Sequence, residues 1–229
     1  MALYAIGDLH LSFSNNKPMD VFGQHWLNHY KKIEENWDMV VTERDSVLIP
    51  GDISWAMTLN EAILDLQWID KRPGQKILIK GNHDYWWGSI TKLNKLFENM
   101  HFVQNNFFPY GEYAICGTKG WSAPNDRKIT EQDEKIYLRE ANRLRQSIES
   151  ASRAGYENFI IMLHYPPTNE RFEPSLFTQI IEEFSVEKVI YGHLHGEGSY
   201  SCGLKGLYNG VEYCLASCDY LNFDLLRVK

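Results

Sequence analysis

Cysteine is scarce. The four in the chain, Cys116, Cys202, Cys214 and Cys218, form no C-x-x-C pair. That spacing argues against a disulfide framework or a thiolate zinc site, and a chain of 229 residues needs no staples. Reduced, packed thiols are expected, and a cytoplasmic setting with them. Long apolar runs are also missing: the longest hold about five residues, against the ~20 that span a bilayer, so no membrane segment is expected. The stretch from Met1 to Asp8 has no basic region followed by an apolar one, so no secretion signal is read there. Basic residues are in deficit, with 23 Lys and Arg against 30 Asp and Glu and a net charge of −7. Extended binding to nucleic-acid backbone is therefore disfavoured. Repeats, low-complexity tracts and Pro/Gly/Ser linkers are lacking too, and residues 1–229 read as one domain.

Core-forming residues are plentiful: 44% of the chain is hydrophobic, too much for disorder. Short apolar runs at Leu3 to Ile6, Ser46 to Ile49, Lys76 to Ile79, Phe159 to Leu163 and Lys188 to Tyr191 read as buried strands. Helical spacing lies between them. Phe22, Trp26, Tyr30, Ile33, Trp37 and Val40 form one stripe, with Asp20 as a candidate N-cap. Thr58-Leu59-Asn60-Glu61 is a capping box ahead of Ile63, Leu66 and Ile69, and Pro73-Gly74 stops that helix. A third helix is predicted over Ile90 to Asn99. The longest carries Tyr137, Ala141, Leu144, Ile148 and Ala151 and closes near Gly155, and a fifth spans Ser175 to Phe184. Strand and helix alternate in the first half, which predicts a parallel sheet. Phe107 to Gly117 and Lys205 to Val228 read as antiparallel hairpins, the second turning at Asn209-Gly210. The predicted class is α/β: two mixed sheets face to face with helices on the outer faces.

Each predicted core strand ends in polar residues that could ligate a metal: Gly7-Asp8-Leu9-His10, Gly51-Asp52, Gly81-Asn82-His83-Asp84, His164, and Gly192-His193-Leu194-His195. Beyond strand carboxyl ends is where α/β sheets bind ligands, so residues far apart in sequence can converge there. Singly these clusters are weak, since Gly-Asp is usually a turn and an isolated histidine is more often a packing residue. Together they supply two Asp, one Asn oxygen and four His. That set suits Mn, Fe or Zn and is too large for one ion with an open position. It suits two ions sharing a bridging carboxylate.

The ordered series from Asp8-x-His10 through Gly51-Asp52, Gly81-Asn82-His83-Asp84 and His164 to Gly192-His193-x-His195 resembles the calcineurin-like metallophosphoesterases, in particular their small phosphodiesterases. The resemblance implies a four-layer α/β/β/α sandwich. It also implies that Asp8, His10 and His195 hold one ion, that Asn82, His164 and His193 hold the other, and that Asp52 bridges them. Two such ions lower the pKa of a shared water, which attacks phosphorus in line. His83 is the candidate general acid for the leaving oxygen, with Asp84 as the group that orients it; a supporting structural histidine is the blander reading. Protein phosphatases of the superfamily extend the second motif to Gly-Asp-x-x-Asp-Arg-Gly. Here Gly51-Asp52 continues Ile53-Ser54-Trp55-Ala56-Met57, without that arginine. A small phosphodiester or nucleotide-like substrate is therefore expected. The alternatives are a phosphomonoesterase or protein phosphatase, a nuclease, and a non-catalytic interaction platform on this fold. Tyr85, Trp86 and Trp87 either offer a stacking face or pack beneath the next helix. Lys119, Trp121, Arg127 and Lys128 are either a basic rim or a solvated loop. Cys214-x-x-x-Cys218 reads as packing, and His25, His29 and His101 are left without a role.

Overall fold

The computed structural model describes residues 1–125 and 130–229, which form two compact units, one of Met1–Phe102 with Ala216–Lys229 and one of Val103–Leu215. Arg127 and Lys128 lie outside the described residues.

The first unit is built on a five-stranded mixed sheet. Strands β1 (Leu3–Ala5), β2 (Ser46–Ile49), β3 (Gln75–Leu78) and β4 (Met100–Phe102) run parallel, and the last strand, β11 (Leu226–Arg227), pairs antiparallel with β1. Helices α1 (His29–Val40), α2 (Leu59–Asp70) and the short α3 (Ile90–Leu93) lie between the strands in sequence. Residues 46–49 are a strand as predicted and are buried throughout, as a two-sided parallel strand requires. The Thr58 capping box is present, with Glu61 returning the bond to the Thr58 backbone.

Two helices are shorter than their spacing predicts. The stripe from Phe22 breaks because Gly23 and Asn28 take left-handed or otherwise non-helical backbone. Residues 19–22 and 24–26 form 3₁₀ turns instead, so Asp20 is not the cap and Phe22 is 65% exposed. The predicted helix over residues 90–99 ends at Leu93. Asn94 turns out of it and its side chain pairs with both backbone groups of Phe102, accepting from the N–H at 2.8 Å and donating to the carbonyl at 3.1 Å.

The second unit carries a six-stranded mixed sheet, in spatial order β5 (Phe107–Tyr110), β6 (Tyr113–Thr118), β7 (Asn158–Leu163), β8 (Val186–Tyr191), β10 (Val211–Leu215) and β9 (Gly206–Tyr208). Helix α4 (Glu131–Arg153) buries Tyr137, Ala141, Leu144, Ile148 and Ala151, the stripe predicted for it. Its cap is Thr130, whose hydroxyl accepts the Asp133 N–H. Helix α5 (Leu176–Glu182) starts from a Ser175 cap, and a last turn, α6 (Glu197–Tyr200), follows β8. The first predicted hairpin is β5–β6. The second is only partly a hairpin. β9 and β10 pair across Asn209-Gly210, both at positive φ, but the chain then returns to the first unit's sheet as β11.

Candidate functional site

In the first unit the residues after β1 run alongside those after β2. Asp8 N–H donates to Gly51 O, His10 N–H to Asp52 O and Leu11 N–H to Ile53 O, each at 3.0 Å. This ladder carries Asp8, His10 and Asp52 in the left-handed region, at φ 58°, 45° and 50°. Non-glycine residues adopt that region at a cost and persist in it where surrounding structure dictates it. Two bonds reinforce it. The Cys218 thiol donates to Asp8 O at 3.0 Å, and His29 Nε2 donates to Leu9 O at 3.0 Å. His29, without an assigned role in the sequence, is thus the prop beneath the Asp8-Leu9-His10 turn, and burial lowers its pKa. Burial likewise pushes the Cys218 thiol well up, which fits packing rather than reactivity.

Gly51, ahead of Asp52, is at φ 90°, where glycine is favoured, whereas Gly7 and Gly81 serve close approach. A Cβ on Gly81 would overlap the backbone N and Oδ1 of Asp52, and one on Gly7 would stand 2.8 Å from the Pro50 ring.

Asp8, His10 and Asp52 are all buried. A ligand atom of Asp8 lies within 4.8 Å of one on His10 and of one on Asp52. His10 Nε2 and His83 Nε2 stand 3.9 and 4.0 Å from Asp52 Oδ2. The His10 ring stacks on Trp55 with centroids 4.9 Å apart and planes 20° apart, and Trp55 also contacts the His83 ring at 4.4 Å. Trp55 was missed as a site residue; its only signal was an aromatic three positions after Asp52. Asn82 is half-buried in the turn after β3, beside His83.

Asp84 is fully buried and takes a different part from the orienting one expected of it. Its Oδ1 accepts from Ile53 N at 2.9 Å, Ser54 N at 3.1 Å and Trp86 Nε1 at 3.1 Å, and its Oδ2 accepts from Gly81 N at 2.7 Å. It ties the turn after β3 to the turn after β2, while the carboxylate at the His83 ring is Asp52. Burial and then the charge of Asp52 push Asp84 up to about 6, against the hydrogen bonds from Gly81, Ser54 and Ile53. Asp65 was also missed. From the buried face of α2 it accepts Phe13 N at 2.8 Å and the Ser54 hydroxyl, joining the chain just past His10 to the chain just past Asp52. Its signal was a carboxylate beside Leu66 on the apolar side of the helix.

Trp86 and Trp87 pack in the core against Phe102, whereas Tyr85 is 59% exposed with its ring 6.4 Å from that of His83.

In the second unit His164 ends β7, fully buried, with its N–H on Lys119 O and its carbonyl accepting Gly192 N–H. That bond sets His193, at φ 74°, so that its Nδ1 is 3.2 Å from His164 Nε2. Tyr165 packs on the His193 ring at 4.1 Å. His195 is half-buried two residues on, with Ser199 Oγ on its carbonyl. Lys119 lays its ammonium over Trp121 at 4.0 Å and is drawn towards Tyr165 as well.

The family model for calcineurin-like phosphoesterases matches residues 1–197. The chain belongs to that family. Among curated proteins it resembles the Gene 66 proteins of Mycobacterium phages L5 and D29. With the first it is 39% identical over 77 residues, 34% of this chain and 37% of that protein. With the second it is 40% identical over 77 residues, 32% of this chain and 38% of the relative. The chain thus matches well under half the length of these relatives. Among solved structures it is similar to the Phosphopantetheinyl Hydrolase (PptH) from Mycobacterium tuberculosis, with a TM-score of 0.59 and 15% identity over 99% of this chain and 95% of that one. At that identity the likeness is one of fold, and it agrees with the α/β class and the two mixed sheets of this family member.

Proposed function

We propose that this family member is a two-metal hydrolase of a small phosphodiester or nucleotide-like molecule, working as one catalytic domain over residues 1–229. One observation carries the reading: two buried carboxylates, Asp8 and Asp52, have ligand atoms within 4.8 Å of each other, with His10 beside them. Buried like charges at that spacing call for a cation. The donor set of oxygens and imidazole nitrogens fits Mn, Fe or Zn. Asp8, His10 and His195 would hold one ion, Asn82, His164 and His193 the other, and Asp52 would bridge them. When bound, such a pair acidifies a shared water and clamps the phosphoryl oxygens.

The chain's own residues do the rest. Asp52 uses Oδ1 to hold the His83 backbone N–H at 2.8 Å, leaving Oδ2 towards the imidazoles. The His83 side chain is 36% exposed, against 2% for Asp52, so a substrate oxygen can reach its ring. From that position the His83 ring can give a proton to the departing alkoxide. Trp55 fixes the planes of both imidazoles. No cation replaces the arginine of the protein-phosphatase motif at Ile53 to Met57, which favours a monoanionic diester over a dianionic monoester. The absence of C-x-x-C pairs and of apolar runs supports a cytoplasmic setting; no helix among the described residues is long and apolar enough to cross a membrane.

The test is turnover of bis-p-nitrophenyl phosphate against p-nitrophenyl phosphate by Mn²⁺-loaded protein, with metal content measured alongside. Faster hydrolysis of the diester supports the proposal, and preference for the monoester replaces it with a phosphomonoesterase. Hydrolysis of neither, with no metal retained, turns the reading towards an interaction platform.

A further inference from the structure

Three aromatic residues follow the His83-Asp84 pair, and the fold treats them differently. Trp86 and Trp87 are 3% and 7% exposed and pack on Phe102. Tyr85 is 59% exposed, with its ring edge-on to that of His83 at 6.4 Å and 72°. Among the described residues Tyr85 has no second ring contact, and its hydroxyl makes no hydrogen bond.

An exposed aromatic is common and by itself means little. What sets Tyr85 apart is that its place beside His83 is imposed by the backbone. Its N–H donates to His83 O at 2.8 Å, and Trp87 N–H donates to Asp84 O at 3.2 Å. On one side of it Asp84 is fully buried and accepts from Gly81 N at 2.7 Å and Ile53 N at 2.9 Å. On the other side the buried Trp86 indole donates back to Asp84 Oδ1 at 3.1 Å. Tyr85 is thus pinned through both neighbours, and its ring is presented next to the proposed acid without further ordering of the chain.

The acid narrows what such a ring meets. Protonation by His83 matters for a leaving oxygen of high pKa, since an aryl oxide departs without it. The leaving group is then an alkoxide, and a flat ring on it lies beyond an aliphatic spacer. Trp55, the other aromatic at the His83 ring, is already stacked on His10 at 4.9 Å. Tyr85 remains as the exposed face on which a flat ring can stack, an arrangement that places ring centres about 4.5–7 Å apart.

We propose that Tyr85 is the platform for the leaving group, which carries a flat ring such as a nucleobase joined through an aliphatic spacer to the departing oxygen. The bond from phosphorus to that oxygen breaks, and a water oxygen takes its place on phosphorus. His83 gives the departing oxygen its proton and regains the one that the water released. The inference rests on the hydrolase reading above and adds which of the two ester groups leaves. Tyr85 is a specificity residue here.

Adenosine 5′-(methyl phosphate) and its abasic counterpart, methyl riboside 5-(methyl phosphate), test it on the Mn²⁺-loaded protein, with the products separated by chromatography. Cleavage on the nucleoside side gives adenosine and methyl phosphate, and cleavage on the methyl side gives AMP and methanol. The first pair should dominate. The kcat/KM for the adenosine ester should exceed that for the abasic ester by about tenfold or more, the effect of one stacked base. Tyr85→Ala should remove most of that preference and raise the share of AMP. Tyr85→Phe and Tyr85→Trp should keep it, because stacking needs the ring and not the hydroxyl. AMP as the main product, equal turnover of the two esters, or a preference that survives Tyr85→Ala overturns the platform and leaves the hydrolase standing. Hydrolysis of bis-p-nitrophenyl phosphate with neither ester turned over has the same meaning. If no diester is hydrolysed the hydrolase reading fails, and saturation-transfer NMR of adenosine with the metal-free protein decides the platform alone. Transfer to the base protons that Tyr85→Ala abolishes supports it; no transfer, or transfer that survives the substitution, rejects it.

Discussion

The backbone N–H of His83 donates to Asp52 Oδ1 at 2.8 Å, while the ring of the same histidine places Nε2 4.0 Å from Asp52 Oδ2. Backbone and side chain of one residue thus meet the two oxygens of one carboxylate, and a substitution can remove the second contact without the first. His83→Asn should keep the turn after β3 and the metal content intact. It should lower kcat by roughly 10²- to 10⁴-fold for alkyl esters, whose leaving oxygen needs a proton, and much less for nitrophenyl esters. Parallel measurements on the two ester types, with elemental analysis, check this. An equal loss on both removes His83 from the acid role.

Asp52→Ala acts on both oxygens at once. The proposed bridge disappears, and so does the acceptor for the His83 N–H. Both ions should be lost together, read as metal per chain after dialysis, where a ligand to one ion alone would leave the other in place. Full occupancy in the variant would refute the bridging assignment.

Gly81 tests the same corner sterically. A Cβ there would overlap Asp52 at its backbone N and Oδ1, and Gly81 N–H also donates to buried Asp84. The neighbour is backbone and cannot swing aside. Gly81→Ala should therefore destabilise by about 1–3 kcal/mol, the usual range for overpacking, and reduce metal retention by displacing Asp52. Urea unfolding read beside metal content decides it, and an unchanged midpoint would mean that the turn relaxes freely.

Strands such as Ser46–Ile49 were legible in the sequence because a two-sided parallel strand is a bare apolar run, and α4 because a long stripe at helical spacing has no competing reading. The apolar spacing of the first helix continues through Gly23 and Asn28, where backbone conformation and not hydrophobicity keeps the chain out of the helix. β4, three residues long, carries too little pattern to show in the sequence, and its edge is completed by the Asn94 side chain. At the site, ligand-type residues could be picked out by their place after strands. Their supports could not: Asp65, His29 and Cys218 act through backbone groups of residues distant in sequence, contacts that only the folded chain defines.

Lys76 gives a prediction independent of the site. It is wholly buried, and its ammonium donates to Asp70 O at 3.1 Å and to Arg72 O, carbonyls at the carboxyl end of α2. Burial lowers its pKa from 10.5 to about 8, with Asp70 and Glu43 opposing and Arg72 adding to the shift. Below about 8 both folded and unfolded chains carry the charge, and the folded chain bears the full penalty of burying it. Between about 8 and 10.5 the unfolded chain holds a proton that the folded chain has released, so this residue's contribution to stability rises with pH and levels off above 10.5. Lys76→Met keeps the volume and removes the titration. Subtracting its unfolding free energy from that of the natural chain should give a difference that climbs in favour of lysine across this window, by at most about 1.4 kcal/mol per pH unit for one proton. Urea titrations from about pH 7 to about pH 10 read that slope. A flat difference would mean that the Asp70 and Arg72 carbonyls hold the ammonium charged in the fold as firmly as water does.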